Sequence, residues 1–221
     1  MQYKAVIFDL DGTLLDTLET LSYYSNSTLE KLGLTPYEKD AYRYMIGNGA
    51  KKLIQRMLAG RDADELFEKA YDMYITAYNS DTLFKTEIYP GITELLAVLK
   101  KAGIKLAVLS NKPHEATVPI IKSFFGEETF ADIRGAMEGV PIKPDPAAAL
   151  DIAGKLGCKP GECLYVGDTG VDMETGRRAG FHTVGVLWGF RDREELVANG
   201  ADCIVETPME IEKCLMEEEY A

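Results

Sequence analysis

The chain has 221 residues, 46% hydrophobic and 27% charged, with 24 Lys and Arg against 36 Asp and Glu for a net charge of −12. This length suits one to two domains with a full core, and the composition excludes a wholly disordered chain. The acidic balance argues against nucleic acid as a partner, because phosphate backbones bind basic surfaces, but it leaves room for a small anionic substrate at one locally positive site. No apolar run approaches the ~20 residues of a membrane span, so no membrane partner is expected. The opening MQYKAVIFDLDG meets two aspartates by residue 11, unlike a secretory leader, and a cytoplasmic protein is expected. The four cysteines, at 158, 163, 203 and 214, form no C-x-x-C pair, and neither His114 nor His182 stands near one. This argues against zinc and reads as packing thiols in a reducing compartment.

Residues 3–8, YKAVIF, are a short run of β-formers suited to a buried parallel strand. The stretch 17–85 reads as helix throughout, over 17–32, 38–59 and 63–79, and holds most of the tyrosines. Tyr71, Tyr74 and Tyr78 recur at helical spacing and predict a packing face rather than a base-stacking platform. From residue 91 helices and strands alternate. Helices are expected at 91–103, ending at Gly103, at 144–157, opened by prolines, and at 171–180. Strands are expected at 104–110, 162–167, 182–188 and 202–206. The alternation predicts β-α-β units in an α/β fold with an open, doubly wound parallel sheet, a Rossmann-like core. Residues 1–16 and 86–221 form that core, and 17–85 form a small all-helical domain inserted after the first strand. The tail MEEEYA (216–221) reads as a solvated acidic end, and Trp188 as a packing residue.

The segment DLDGTLLDT (9–17) is the most informative. Asp9 and Asp11 follow the first strand, at the sheet edge where ligands bind in such folds. Residues two apart in an extended chain share a side, so both carboxylates can face one ligand. Gly12 permits a sharp turn, and Thr13 offers a hydroxyl and an N–H. One carboxylate could attack phosphorus while the other handles protons. Other strand ends carry matching groups: Ser110 and Asn111 after LAVL, and Asp168 with Asp172 after LYVG. Lys143 is the only cation of the loop PIKPDP, which Pro141 and Pro144 stiffen.

Four such groups in this order resemble the haloacid dehalogenase superfamily of phosphohydrolases. FDLDGTLLDT is similar to that family's first motif, Ser110 to the second, Lys143 to the third and GDTGVD to the fourth. The helical insert resembles the family's small cap. The resemblance implies that Asp9 forms an aspartyl-phosphate and that Asp11 protonates the leaving oxygen and then activates water. It implies that Mg²⁺ binds Asp9, the Asp11 carbonyl and Asp168, with Asp172 in support. Ser110, Asn111 and the Thr13 N–H would grip the phosphoryl oxygens, and Lys143 would offset their charge. Asp11 points to phosphate esters rather than haloacids or phosphonates. The length and the cap most resemble the phosphoglycolate phosphatase group, with a small phosphorylated metabolite, foremost 2-phosphoglycolate, as the expected substrate. Within the cap, Gly47, Asn48 and Gly49 open a helix that could present N–H groups, with Lys51, to an anion. Alternatives of the same superfamily are a β-phosphoglucomutase-like phosphosugar transferase, a pyrophosphatase and a nucleotidase. From other classes come a phospho-acceptor signalling module and a catalytically idle binding protein. Hinges are expected near 14–20 and 80–90, and the state is a monomer or homodimer.

Overall fold

The computed structural model describes residues 3–61 and 63–215; the acidic tail at 216–221 lies outside them. Strand β1 (Ala5–Phe8) is followed by a two-residue strand β2 (Leu15–Asp16) and three helices, α1 (Leu18–Lys31), α2 (Ala50–Met57) and α3 (Ala63–Ser80), with a 3-10 turn at Lys39–Tyr44. Strand β3 (Glu87–Ile88) returns the chain to α4 (Ile92–Lys101), β4 (Lys105–Pro113), α5 (His114–Phe125), β5 (Asp132–Ala136) and α6 (Ala147–Lys155). Then come β6 (Cys163–Gly167), α7 (Gly170–Ala179), β7 (His182–Val186), α8 (Arg193–Ala198), β8 (Cys203–Val205) and α9 (Ile211–Cys214).

Six strands form one parallel sheet in the order β5-β4-β1-β6-β7-β8. The chain therefore builds outward from β1 in both directions, and the order reverses beside β1, where open α/β sheets place their ligand crevice. Every side chain of β1 is buried. Val6 and Phe8 face one hydrophobic cluster and Ala5 and Ile7 the other, the two-residue alternation of a strand covered on both faces. The register fixes the site: Phe8 sits opposite Val108 on one side and Val166 on the other. The residues just beyond, Asp9, Ser110 and Asp168, must then emerge along one edge.

The helical layer lies over that edge. Leu21, Tyr42, Leu53, Ile54, Tyr74 and Tyr78 belong to the same buried cluster as Phe8, Leu10 and Leu14. The two chain crossings into this layer run side by side as the antiparallel pair β2–β3, with Leu15 opposite Ile88.

Three local expectations differ from the structure. The helix expected over 38–59 breaks at Gly47 and Gly49, whose φ of 112° and 82° no helix accommodates. Helix α5 and strand β5 are additional elements; Pro119 within α5 interrupts its pattern, and β5 is an edge strand whose sequence, DIRGA, has no long apolar run. Finally, Cys203 and Cys214 are joined as a disulfide, correcting the reading of four packing thiols, while Cys158 and Cys163 stay free and buried. The fold brings the end of the sheet and the last helix together with Cα atoms 6.9 Å apart, a proximity that spacing along the chain does not reveal.

Candidate active site

Asp9 leaves β1 at the carboxyl edge. Its Oδ1 accepts the N–H of Leu10 at 2.7 Å and lies 2.8 Å from Nζ of Lys143. Lys143 also reaches Oδ1 of Asp172 at 2.7 Å and so bridges the end of β1 and the first turn of α7. The other oxygen of Asp172 accepts the N–H and hydroxyl of Thr169 at 3.0 and 2.7 Å, closing a capping box that starts α7. Asp168 is fully enclosed, its Oδ1 accepting the Thr13 hydroxyl at 3.0 Å and its Oδ2 the Phe190 N–H at 2.8 Å. Gly12 is required here: its φ is 87°, and a Cβ would stand 2.3 Å from Oδ2 of Asp168. The Trp188 indole N–H donates to the Thr13 carbonyl at 3.0 Å, so the single tryptophan braces the loop of the first motif.

Positive charge is in short supply at this edge. Burial pushes the Asp9 carboxyl up to about 7, with Asp172 adding to the push and Lys143 opposing it. Burial, then Asp172 and Asp9, likewise raises Asp168 well above the usual carboxylate range. Burial acts to lower Lys143, but Asp172 and Asp9 outweigh it and the ammonium stays charged. Asp9, Asp168 and Asp172 each offer an oxygen, and these oxygens lie within 4.8 Å of one another. These three carboxylates, two of them paired with one ammonium, form a hard, anionic donor set that fits a divalent metal ion.

Asp9 and Asp11 line a cavity of about 50 Å³ between the sheet and the helical layer, together with Ser110, Asn111 and Lys112. Ser110 is buried, and its Oγ accepts the Lys112 N–H at 3.2 Å, leaving its O–H able to donate. Asn111 instead ties elements together. Its amide nitrogen donates to the carbonyls of Lys143 and Gly47 at 3.0 and 3.1 Å, and its oxygen accepts the Lys143 N–H at 2.9 Å. The Thr13 N–H is also engaged, by the Leu10 carbonyl at 3.3 Å.

Of the helical-layer residues singled out from sequence, Gly47 and Gly49 line the cavity. A Cβ on Gly49 would stand 3.1 Å from the Asn111 carbonyl, so glycine sets how closely the two layers approach. The Asn48 side chain accepts a bond from Arg56 at 2.7 Å. Lys51 is exposed and lines, with Asn48 and Met137, an adjoining groove that shares Gly49, Ala50, Asn111 and Pro113 with the cavity. The reason is helical phase: α2 turns Leu53, Ile54 and Met57 inward and its lysines outward.

The sequence reading passed over three features. Lys112 is buried, with Nζ 2.8 and 2.9 Å from the two oxygens of Asp11. Its signal was present: it stands two residues beyond Ser110, the spacing that puts Asp9 and Asp11 on one side. Tyr74 and Tyr78 stack in parallel 5.9 Å apart and face the cavity, giving the tyrosine face a second role beyond packing. Arg191 donates from the core to the carbonyls of Ile46, at 2.9 Å, and Arg43, while Arg43 donates back to the Gly189 carbonyl at 2.9 Å.

This arrangement agrees with known proteins. The family model of haloacid dehalogenase-like hydrolases matches residues 6–186. The chain is 33% identical over 208 residues to phosphoglycolate phosphatase of Pseudomonas putida, covering 92% of this chain and 76% of that one. It is 34% identical over 204 residues to the enzyme of the same name from Psychrobacter arcticus, covering 89% and 88%. Among solved structures, a candidate phosphoglycolate phosphatase from Lactobacillus delbrueckii subsp. bulgaricus superimposes with a TM-score of 0.91 at 30% identity over 99% of this chain and all of that one. With its four motifs gathered at one sheet edge, the chain belongs to the haloacid dehalogenase-like hydrolase family.

Proposed function

We propose that the protein is a Mg²⁺-dependent phosphatase of small phosphate monoesters, with 2-phosphoglycolate the leading substrate and glycolate and phosphate the products. The observation that carries this reading is Asp9: a buried carboxylate at the cavity wall, with one oxygen held by Lys143 and a backbone N–H and the other left for phosphorus. Its Oδ2 forms the bond to phosphorus as the ester P–O bond breaks, and the departing oxygen takes the proton of Asp11. Asp11, now a carboxylate, draws a proton from water. The water oxygen bonds to phosphorus, the Asp9–phosphorus bond breaks, and phosphate leaves. Lys143 and the Ser110 hydroxyl balance the oxyanion charge throughout.

The metal would be held by Asp9, Asp168 and the Asp11 carbonyl with Asp172 in support, and it would neutralise the phosphoryl oxygens. Asn111 serves this scheme by fixing Lys143 rather than by gripping phosphate. Residues 17–85 would form the cap and 1–16 with 86–221 the core, with Gly47 and Gly49 as the cap's closest approach to substrate. The 2-phosphoglycolate assignment is supported by the names of the relatives and by the small cavity, which suits a two-carbon leaving group better than a sugar or nucleoside. A phosphorylated metabolite as substrate would suit a cytoplasmic enzyme.

The test is phosphate release from 2-phosphoglycolate, sugar phosphates, nucleotides, pyrophosphate and p-nitrophenyl phosphate, with and without Mg²⁺. Metal-dependent preference for 2-phosphoglycolate is expected. Asp9→Asn should lower turnover by about a thousandfold or more while the protein stays folded. Near-normal activity in that variant rules out the covalent route.

A further inference from the structure

The phosphoryl-transfer scheme does not use Lys112, yet Lys112 carries the only positive charge among the fifteen described residues lining the cavity. Its ammonium is buried, donates to both oxygens of Asp11 and lies over the Tyr78 ring, 5.1 Å from the centroid. The rest of the roof includes Leu21, Ile46, Leu53 and Ile75, whose side chains offer no hydrogen bond to a hydroxylated leaving group.

Each Asp11 oxygen accepts from Lys112, and one of them has to turn toward the ester oxygen to serve it, which loosens the pair when substrate enters. A second anionic group on the substrate would take the freed donors. Position limits where that group can be. Nζ stands one hydrogen bond from Asp11, and Asp11 must stand one hydrogen bond from the ester oxygen. By ordinary bond lengths and angles, a carboxylate on the carbon beside the ester oxygen holds its own oxygens roughly 3 Å from it. A single ammonium with three donors can then serve Asp11 and that carboxylate together.

We propose that Lys112 is the specificity-determining residue for the leaving group: it binds a carboxylate on the carbon attached to the ester oxygen and, in doing so, releases an Asp11 oxygen to the ester. This rests on the phosphatase reading above and on its choice of 2-phosphoglycolate. It adds that the selected class is the phosphate esters of short 2-hydroxy acids, and that the selection is made by a core strand rather than by the cap.

The experiment compares kcat/KM for 2-phosphoglycolate and for ethyl phosphate, whose leaving group has a methyl in place of the carboxylate, in the wild type and in Lys112→Met. Both substrates will lose some rate through the disturbed Asp11, so the quantity read is the ratio of the two. The ratio is expected to fall by about 30-fold or more, the size of a lost charge-assisted hydrogen bond. Equal losses on both substrates, with the ratio unchanged, overturn the proposal while leaving the phosphatase reading intact. A wild type that hydrolyses ethyl phosphate as well as 2-phosphoglycolate overturns the substrate choice and this inference together. If Lys112→Met does not fold, the wild type decides through chain length. The phosphate ester of 3-hydroxypropanoate, one methylene longer, should react at least about tenfold more slowly than 2-phosphoglycolate, and equal rates refute the placement.

Discussion

The carboxyl edge of the sheet and the helical layer above it treat polarity in opposite ways. At the edge, Asp9, Lys143, Asp168 and Asp172 are buried and satisfied by one another, by Thr13 and Thr169, and by backbone N–H groups. In the layer, α1, α2 and α3 bury Leu21, Leu53, Tyr74 and Tyr78 and leave Lys51 and Lys52 outside. The edge keeps charges in low dielectric, where each has to have a defined partner. The layer supplies dry, shape-filling surface, joined to the core by the shared apolar cluster, the Asn111–Gly47 bond and a few arginine contacts. The chemistry is therefore held by paired charges, while the surface that covers it is held by apolar packing.

The edge should be the more fragile of the two. Lys143→Met removes the one cation that Asp9 and Asp172 share and leaves both carboxylates buried without it. The expected cost is about 3–5 kcal/mol of folding stability, measured by urea denaturation at pH 7.5 without metal. A loss under about 1 kcal/mol would mean that the two carboxylates take up protons freely and that the edge is less rigid than the layer above it.

The layer should respond in function more than in stability. Arg191→Ala removes the donors to the Ile46 and Arg43 carbonyls and a contact with the Tyr44 ring at 5.3 Å. An increase in KM of about three- to tenfold is expected from easier opening, with about 1–2 kcal/mol lost in unfolding. An unchanged KM would mean that these contacts do not control access to the cavity.

The smallest effect separates the two regions by pH. With Asp9 raised from 3.8 to about 7, the protonated form favours the fold. Without metal, stability therefore falls as pH rises from the unfolded value through 7. A divalent cation favours the ionised form and reverses this. The increase in Tm on adding Mg²⁺ should be a few degrees larger at pH 8 than at pH 6. Equal increases at both pH values would place the metal's effect away from Asp9.

Much of the edge was legible because its residues sit at strand ends. Apolar runs at 3–8, 104–110 and 162–167 locate three central strands, and whatever follows such strands meets at one crevice. Asp9, Asp11, Ser110 and Asp168 follow from that rule, and Lys143 follows from its place in a stiffened loop between strands. The same rule, applied two residues further along β4, leads to Lys112. Reading each strand as finished at its last apolar residue hid it, although β4 runs on to Pro113.

The sequence by itself determined the parallel α/β core, the helical insert and which acidic, hydroxyl and lysine side chains gather at one sheet edge, because backbone periodicity and strand-end position are local properties. Only the tertiary structure decided which lysine enters the cavity, which tyrosines roof it, that Asn111 braces Lys143, and that Cys203 meets Cys214. Each of those depends on helix phase or on contacts between distant segments. Helix α2 had to be placed on the sheet before Lys51 could be seen pointing away, and β4 had to be paired in register before Lys112 could be seen reaching Asp11.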